Sequence, residues 1–207
     1  MSFSGEVKAE LEKHISKSRH CQLAELAAII SFSGRMILTG ADPRLEIATE
    51  HAGLAKKCYT LLKRAFDISA ELSEQNPGVL YIEEQDAMRR VLMALKFLEE
   101  DGSLHPFRQA VNGMLLQKSC CRRTFVRGAF LASGSMSDPH KSYHFEIVCA
   151  TPQQAEQLRT VISDFGMDAK VVERKKHHVV YLKEGAQIVD MLNLSLIHIS
   201  EPTRHLR

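Results

Sequence analysis

The sequence contains no tryptophan and no apolar run approaching the roughly 20 residues that a membrane-spanning helix needs. Its start, MSFSGEVKAELEKHISKSRH, lacks the apolar stretch of a signal peptide. The five cysteines are an odd number, stand at irregular spacing and include no CxxC pair, which argues against a disulfide framework and for a reducing compartment. We therefore expect a cytoplasmic protein that does not span a membrane.

A strong excess of charge is also lacking. There are 27 Lys and Arg against 25 Asp and Glu, for a formal net charge of +2. A dedicated nucleic-acid-binding domain is usually more basic, so an electrostatic case for DNA has to be local. The sequence has neither a GxxxxGK[ST] phosphate loop nor a nucleophile elbow. Its 207 residues, 44% of them hydrophobic, suffice for one large domain or two small ones.

What the chain does contain is a repeat with a period of 100 residues. The shift needs no gap over more than fifty residues, and apolar positions between the identities also coincide. The identities include Ser33, Gly34, Met36, Ala55, Thr60, Val79, Tyr81 and Glu84, each matched 100 positions later. A solenoid repeats every ~20–50 residues, so this longer period indicates a duplicated domain half.

Each half predicts the order α-β-β-α-β-β-α, with a short first strand. The first helix covers 20–33 and 120–133, and Gly34 and Gly134 stand where a left-handed residue often ends a helix. Asp-Pro turns come next, followed by strands whose apolar residues alternate, at 44–50 and 144–149. The second helix covers 52–65 and 152–164. Two further strands follow in each half, and closing helices begin at Gln85 and Gly185.

Three segments lie outside the two halves. Residues 1–19 form an N-terminal helix that Ser4 can cap, with Val7, Leu11 and Ile15 as its apolar stripe. Residues 102–119 link the first half, 20–101, to the second half, 120–194, and we expect one short helix around 107–116. Residues 195–207, SLIHISEPTRHLR, resemble a translated sequencing adapter and are expected to be a non-native tail.

The first helix of each half is lined with small residues, which predicts that these two helices pack together about a pseudo-twofold axis. Helix pairs lie about 8–10 Å apart, depending on side-chain size, and small residues allow the short end of that range. The predicted interface residues are Ala27, Ala28, Ser31 and Gly34 with Gly128, Ala129, Ala132 and Gly134.

The strings LAAIISFSG (26–34) and VRGAFLASG (126–134) resemble the LAGLIDADG motif of homing endonucleases. That resemblance implies an α+β fold of two pseudo-twofold-related αββαββ halves, packed through paired helices, whose antiparallel sheets straddle DNA. Longer strings, among them SFSGEVKAEL, CCRRTFVRGAFLASGSMSDPHKSYHFEI and DMLNL, resemble the N-terminal part of the WhiA family. WhiA proteins are bacterial regulators of transcription, sporulation and cell division, and the resemblance covers residues 2 to about 194.

The family resemblance also implies where a nuclease would hold its metal. In active LAGLIDADG nucleases the residue before the final glycine is an acid, because Mg²⁺ needs carboxylate ligands there. This sequence has Ser33 and Ser133 at those positions. The nearest acids, Asp42 and Asp138, stand in Asp-Pro turns, where capping is the commoner role. We therefore expect a catalytically inactive scaffold without a cofactor; an active homing endonuclease that uses displaced acids is the alternative.

The outer sheet face is predicted to carry Glu46, Glu83 and Glu146, which is a poor surface for phosphates. Basic residues group in two other places, and these are the possible DNA-backbone contacts. The first group leads into the second interface helix, and its residues could equally be an ordinary solvent-exposed helix end. The second group lies at the tip of a hairpin. The two groups are Lys118, Arg122, Arg123 and Arg127, then Arg174, Lys175 and Lys176. Neither group would specify sequence, and a protein-interaction module without DNA contact stays an alternative.

Four other residues raise the question of a metal. The repeat places His20 and Cys21 at the start of one interface helix and Cys120 and Cys121 at the start of the other. Their spacing matches no zinc template, and burial as a small apolar residue is the commoner fate of a cysteine, so no metal is expected.

By resemblance, WhiA proteins continue past residue 194 into a helix-turn-helix domain that would bind promoter DNA, and we expect the given sequence to lack this segment. The resulting hypothesis is a DNA-binding transcription regulator with a role in sporulation, the cell cycle, cell division and chromosome segregation. Its partners would be DNA, mainly through the missing domain, and a transcription-factor protein. It would be associated with the nucleoid in the cytoplasm.

Overall fold

The computed structural model describes residues 2–38, 43–138 and 144–196, and seven α-helices lie within these ranges. They are α1 (Phe3–Lys13), α2 (Arg19–Ser33), α3 (Ala52–Phe66), α4 (Gln85–Ala94), α5 (Ser119–Ser133), α6 (Pro152–Ser163) and α7 (Gly185–Leu196). A short 3-10 helix covers Gly113–Leu116. The strands are β1 (Gly34–Ile37), β2 (Arg44–Ala48), β3 (Glu71–Leu72), β4 (Val79–Ile82), β5 (Gly134–Met136), β6 (Phe145–Cys149), β7 (Lys170–Arg174) and β8 (His177–Leu182).

The two halves have the same topology. Each contains a four-stranded antiparallel sheet, in the order β1-β2-β4-β3 in the first half and β5-β6-β8-β7 in the second. The register repeats as well, because Glu46 pairs with Tyr81 and Glu146 pairs with Tyr181. The helices α2 and α5 pack against each other between the sheets. The predicted α+β class with two duplicated halves and paired helices is confirmed.

The ungapped 100-residue register fails at one strand. In the first half Glu71 lies opposite Tyr81, but in the second half the partner of Tyr181 is Lys170. The second hairpin therefore holds one more residue. Its strand β7 has five residues and ends at a tight turn where Lys175 has φ 58°, whereas β3 has only two residues.

The inner face of each sheet forms the core beneath the helices. Eight apolar residues on the inner faces are nearly inaccessible, at 2% exposed or less: Leu45, Ile47, Leu80 and Ile82, then Phe145, Ile147, Val180 and Leu182. Alternate residues point to the opposite face because successive side chains in a strand point to opposite sides. The alternation in the sequence therefore predicts correctly which residues occupy the core.

Gly34 and Gly134 do not end their helices in the way predicted. Their φ angles are −82° and −89°, which is extended backbone rather than left-handed. Glycine is required there for space: an added Cβ would lie 2.6 Å from the Ile30 carbonyl oxygen at Gly34 and 2.7 Å from the Phe130 carbonyl oxygen at Gly134. The chain can therefore pass directly from each interface helix into the first strand of its sheet.

Two predictions for the N-terminal segment need correction. The helix α1 is capped by Ser2, whose Oγ accepts a hydrogen bond from the Gly5 amide at 3.2 Å, and not by Ser4. The Ser4 hydroxyl instead accepts from the Met136 amide at 3.3 Å, so it ties α1 to the second half. The helix ends at Lys13, before Ile15.

The linker also differs from its prediction. Its only described helix is the 3-10 turn Gly113–Leu116, shorter than the expected 107–116. Phe107 and Val111 are buried, and the Phe107 ring packs edge-on against Phe97 at 5.1 Å. Burial of these two side chains in the core holds the first part of the linker in an irregular path. The described helix of the linker is therefore shorter than predicted.

The predicted boundary at residue 194 falls inside α7, which continues to Leu196. The rest of the expected adapter-like tail lies outside the described residues, as do Asp42 and most of both Asp-Pro turns.

Candidate functional site

The paired helices approach each other closely at Gly128. A Cβ added there would lie 2.7 Å from the Glu25 carbonyl oxygen and 2.9 Å from the Ala28 Cβ. The interface residues Ala27, Ala28, Ser31 and Ala129 are fully buried, and Ala132 is half-buried. The small side chains therefore set the spacing of α2 and α5.

Ser31 has a second role that its size does not reveal. Its hydroxyl donates to the Gln109 carbonyl oxygen of the linker at 3.0 Å and accepts from Gln154 Nε2 of α6 at 2.9 Å. Gln154 is itself buried. These bonds connect the paired helices to the linker and to the second half.

A buried ionic cluster crosses the same interface, and it corrects the prediction that Arg127 contacts DNA. Arg127 is only 2% exposed, and its guanidinium donates to both carboxylate oxygens of Glu25, at 2.8 and 2.7 Å. It also donates to Ser16 Oγ at 3.0 Å. Lys57 of α3 lies 2.9 Å from the same carboxylate and donates to the carbonyl oxygens of Leu11 and His14. Arg127 therefore joins the two halves from within.

Burial alone would raise the pKa of Glu25, but Lys57 and Arg127 outweigh it and hold this pKa below its usual range. Burial lowers the pKa of Lys57, and the Glu25 carboxylate opposes that change. Sequence reasoning overlooked Glu25, although an acid inside the apolar run LAELAAII was a visible signal that a buried cation had to accompany it.

At the C-terminal ends of the paired helices, Ser33 and Ser133 are half-buried. The Ser133 hydroxyl donates to the Val148 carbonyl oxygen of β6 at 2.6 Å, which links the helix end to the sheet. Within residues 2–38, 43–138 and 144–196, the one group of three or more His, Cys, Asp or Glu side chains suited to a metal ion lies elsewhere, at the other end of these helices.

The outer sheet faces carry the predicted acids, but basic side chains pair with them. Glu46 forms an ion pair with Arg35. Glu146 contacts His144 Nε2 at 2.8 Å and Arg174 Nη1 at 2.9 Å. Burial would raise the pKa of Glu146, yet these two partners hold it below its usual range. The acids therefore give these faces less negative potential than their number suggests.

The basic group at the start of α5 is dispersed. Lys118 is exposed. Arg122 instead donates to the Leu116 and Gln117 carbonyl oxygens at 3.1 Å, and Arg123 lies over the Phe165 ring at 5.9 Å. With Arg127 buried, this group presents no continuous basic patch.

The basic hairpin tip stays together. Lys175 and Lys176 are exposed at the turn between β7 and β8, next to Arg174. On the same outer face Lys170 lies opposite Tyr181, where the first half has Glu71 opposite Tyr81. The loop that corresponds to the tip in the first half contains Glu74 and no basic residue between 73 and 78. The second sheet is therefore more basic than the first.

A cluster of potential metal ligands lies at the N-terminal ends of the paired helices. His20 Nδ1 lies 3.3 Å from the sulfurs of Cys21 and Cys121 and 3.9 Å from Cys120 Sγ. All four ligand atoms lie within 4.8 Å of one another. Burial raises the pKa of Cys21 to about 12 and also raises that of Cys121, so without a cation both thiols are protonated at neutral pH.

Two family models match the chain, one for each half. The WhiA N-terminal LAGLIDADG-like domain matches residues 19–91, and the WhiA LAGLIDADG-like domain matches residues 122–201. The second match runs past residue 194, beyond the boundary predicted for the native sequence. Among the described residues, each helix is too short or too polar to span a lipid bilayer.

Curated relatives carry the name "Probable cell division protein WhiA". The protein from Lachnoclostridium phytofermentans is 42% identical over 97% of this chain and 66% of its own length. The protein from Alkaliphilus oremlandii is 41% identical over 96% of this chain and 65% of its own length. The chain thus spans about two thirds of the length of these relatives.

Solved structures share the fold. Full-length WhiA from Thermatoga maritima aligns with a TM-score of 0.69 at 18% identity, over 94% of this chain and 62% of that protein. The homing endonuclease I-DmoI, in complex with DNA and Mn, aligns with a TM-score of 0.63 at 13% identity, over 88% of this chain and all of the endonuclease chain.

Proposed function

The chain belongs to the WhiA family, and we propose that it is the catalytically inactive, DNA-contacting scaffold of a transcription regulator. Its relatives are named as probable cell division proteins. We extend to this protein a role in the cell cycle, covering transcription regulation, cell division with chromosome segregation, and sporulation. Because the chain spans about two thirds of its relatives, these roles are proposed for the whole regulator.

The loss of nuclease chemistry is supported by the two serines at the ends of α2 and α5. A neutral hydroxyl does not supply the charge that a carboxylate gives to a hard dication. In addition, the Ser133 hydroxyl is engaged with the Val148 carbonyl oxygen of β6. The two serines at the positions of the metal-binding acids are the observation that favours a scaffold over the endonuclease alternative.

DNA contact is supported by the fold and by the basic second sheet. The fold neighbour I-DmoI is known in complex with DNA. Here Lys175 and Lys176 project from the hairpin tip, and Lys170 lies on the outer face of the same sheet. Such residues neutralise phosphates without reading bases, so we expect this surface to position DNA while another part of the regulator reads sequence.

Reading the promoter and contacting other proteins would be tasks of other parts of the regulator and of its partners. A helix-turn-helix segment of the intact protein would read the promoter, and a transcription-factor protein would be a second partner. The regulator would then act on the nucleoid in the cytoplasm. The rival function, a protein-interaction module without DNA contact, makes a different prediction for the salt dependence of binding.

Salt-dependent DNA binding tests the proposal. Each phosphate contact contributes about −0.9 to the slope of log K against log salt. We expect Lys175→Gln with Lys176→Gln to reduce the magnitude of the slope by about 1.8 for this reason. The matched control is Arg89→Gln with Arg90→Gln, which removes two exposed charges from α4, behind the first sheet. Equal slopes for both double variants, or no salt-dependent binding by the unaltered chain, would overturn the proposal.

A further inference from the structure

We propose that His20, Cys21, Cys120 and Cys121 bind one zinc ion that bridges the two halves of the fold. Each half contributes two ligands, one pair at the start of α2 and the other at the start of α5. The pairs are related by the 100-residue repeat, so the ion would lie near the pseudo-twofold axis.

The ligand geometry fits a tetrahedral ion. Zinc bonds of about 2.3 Å to sulfur and 2.0–2.1 Å to nitrogen place tetrahedral ligands about 3.5–3.8 Å apart. In the structure, the distances from His20 Nδ1 to the three sulfurs are 3.3, 3.3 and 3.9 Å. No pair of the four ligand atoms is farther apart than 4.8 Å. Side-chain adjustments of less than about 1 Å would therefore complete the coordination shell.

The donor set selects the kind of metal. Three thiolates and one imidazole form a Cys₃His set, which is a known composition of closed structural zinc sites. Soft thiolate ligands disfavour Mg²⁺ and Ca²⁺, which prefer oxygen. Because four protein ligands fill the tetrahedron, the ion would have a structural role and no open position for chemistry.

The surroundings favour the charge of such a site. Zinc with three thiolates and a neutral imidazole has a net charge of −1, and the N-termini of two helices carry partial positive charge. Lys118 adds a cation on the wall of a cavity of about 110 Å³ that His20 and Cys121 also line. Cys21 and Cys121 are almost fully buried, whereas His20 and Cys120 are partly accessible, so an ion can enter from this side.

The location explains what the ion would do. His20 and Ser33 lie at opposite ends of α2, about 20 Å apart at a rise of about 1.5 Å per residue. The ion would hold together the N-terminal ends of the paired helices, far from the degenerate nuclease positions. Zinc templates in sequences place two ligands a few residues apart, whereas here the fold joins two adjacent pairs from distant segments, which is why the spacing did not reveal the site.

Metal content of the full chain, purified without a polyhistidine tag, tests the proposal. We expect about one zinc per chain by mass spectrometry after gel filtration, because the four ligands complete a single site. Replacement by Co²⁺ should give the visible d–d bands of a tetrahedral thiolate complex. Cys120→Ser, at a partly accessible ligand, should lose the zinc, while Cys149→Ser, at a buried thiol outside the cluster, should retain it.

Stability provides a second readout that does not require the variants to fold equally well. A strong chelator should lower the Tm of the unaltered chain and of Cys149→Ser, because a metal bound only to the folded state stabilises it. It should leave the Tm of Cys120→Ser unchanged. Unaltered protein with no metal, with iron in place of zinc, or with a disulfide among these cysteines would overturn the proposal. Zinc retained by Cys120→Ser would overturn it as well.

Discussion

Arg127 of α5 and Glu25 of α2 form a two-pronged ion pair inside the protein, with Nε–Oε1 and Nη2–Oε2 distances of 2.8 and 2.7 Å. The two residues belong to different halves and are 102 positions apart in the chain. Both are almost completely buried. The pair therefore fixes how the interface helices α2 and α5 pack against each other.

Removing the cation of this pair should be strongly destabilising. We expect Arg127→Ala to lower the free energy of unfolding by about 3–5 kcal/mol, because the buried Glu25 carboxylate keeps Lys57 but loses the guanidinium that donates to both of its oxygens. Urea unfolding followed by circular dichroism measures the change. Arg123→Ala on the same helix is the matched control and should cost only about 1 kcal/mol, the value of a cation–π contact. If both variants lost the same free energy of unfolding, the Arg127–Glu25 pair would not stabilise the helix packing as described.

The same cluster predicts a dependence on pH. The pKa of Glu25 is lower in the folded state than in the unfolded chain, so the unfolded chain binds the proton first as the pH falls. The stabilisation by Glu25 is present above the usual carboxyl pKa of about 4.3 and is lost as the pH falls through the folded value.

Urea titrations of the unaltered chain and of Glu25→Gln, from neutral to acidic pH, measure this dependence. At neutral pH the unaltered chain should be more stable, since the variant leaves Lys57 and Arg127 without their anion. The two free energies of unfolding should converge on acidification. A difference that stays constant with pH would show that Glu25 does not titrate as described.

Gly128 tests the spacing of the paired helices. Gly128→Ala adds a methyl group 2.7 Å from a backbone oxygen, and the helices must separate to accept it. Overpacking of this kind costs about 1–3 kcal/mol of stability. Alanine has the higher helix propensity, which offsets up to about 1 kcal/mol of this cost. We therefore expect the free energy of unfolding to fall by about 1–2 kcal/mol. Gly113→Ala, where an added Cβ meets nothing within 4 Å, should be nearly neutral in the same thermal unfolding measurement.

Ser133 should matter for stability rather than for chemistry. Ser133→Ala removes the hydrogen bond to the Val148 carbonyl oxygen and should cost about 1 kcal/mol, with DNA affinity unchanged at a temperature where both proteins are folded. Ser135→Ala, at an exposed hydroxyl on β5, is the control and should have little effect. A loss of DNA binding specific to Ser133→Ala would assign this hydroxyl to the interface with DNA.

Much of the fold could be predicted because it depends on local patterns. Alternation placed Ile47 and Ile147 in the core, and the repeat showed that one half is a copy of the other. The single-residue shift of β7 left a sign in the sequence, because the buried residues Met167 and Ala169 stand one position earlier than the 100-residue period places the counterparts of Ile68 and Ala70. The sequence correctly predicted that α2 ends at Gly34, but it predicted a left-handed backbone where the structure shows crowding. Both conditions select glycine, so the residue type alone does not distinguish them.

The candidate site was less predictable because it depends on contacts between distant segments. Arg127 reads as a surface cation until Glu25 is known to lie beside it. Likewise, the sequence shows two adjacent ligand pairs, and only the packing of α2 against α5 brings His20 to the three cysteines. The basic hairpin tip with Lys175 and Lys176 could be located from sequence because a hairpin tip is a local feature, and its contact with DNA stays a prediction.

The most direct test of the central claim is to incubate supercoiled plasmid with the full chain and Mg²⁺ or Mn²⁺, at a salt concentration where the plasmid is fully bound. An inactive scaffold that contacts DNA predicts complete retardation of the plasmid on a native gel and no nicked circles after the protein is removed. Nicking that disappears in Ser33→Ala with Ser133→Ala would contradict the loss of chemistry, and a plasmid that is never retarded at low salt would contradict DNA contact.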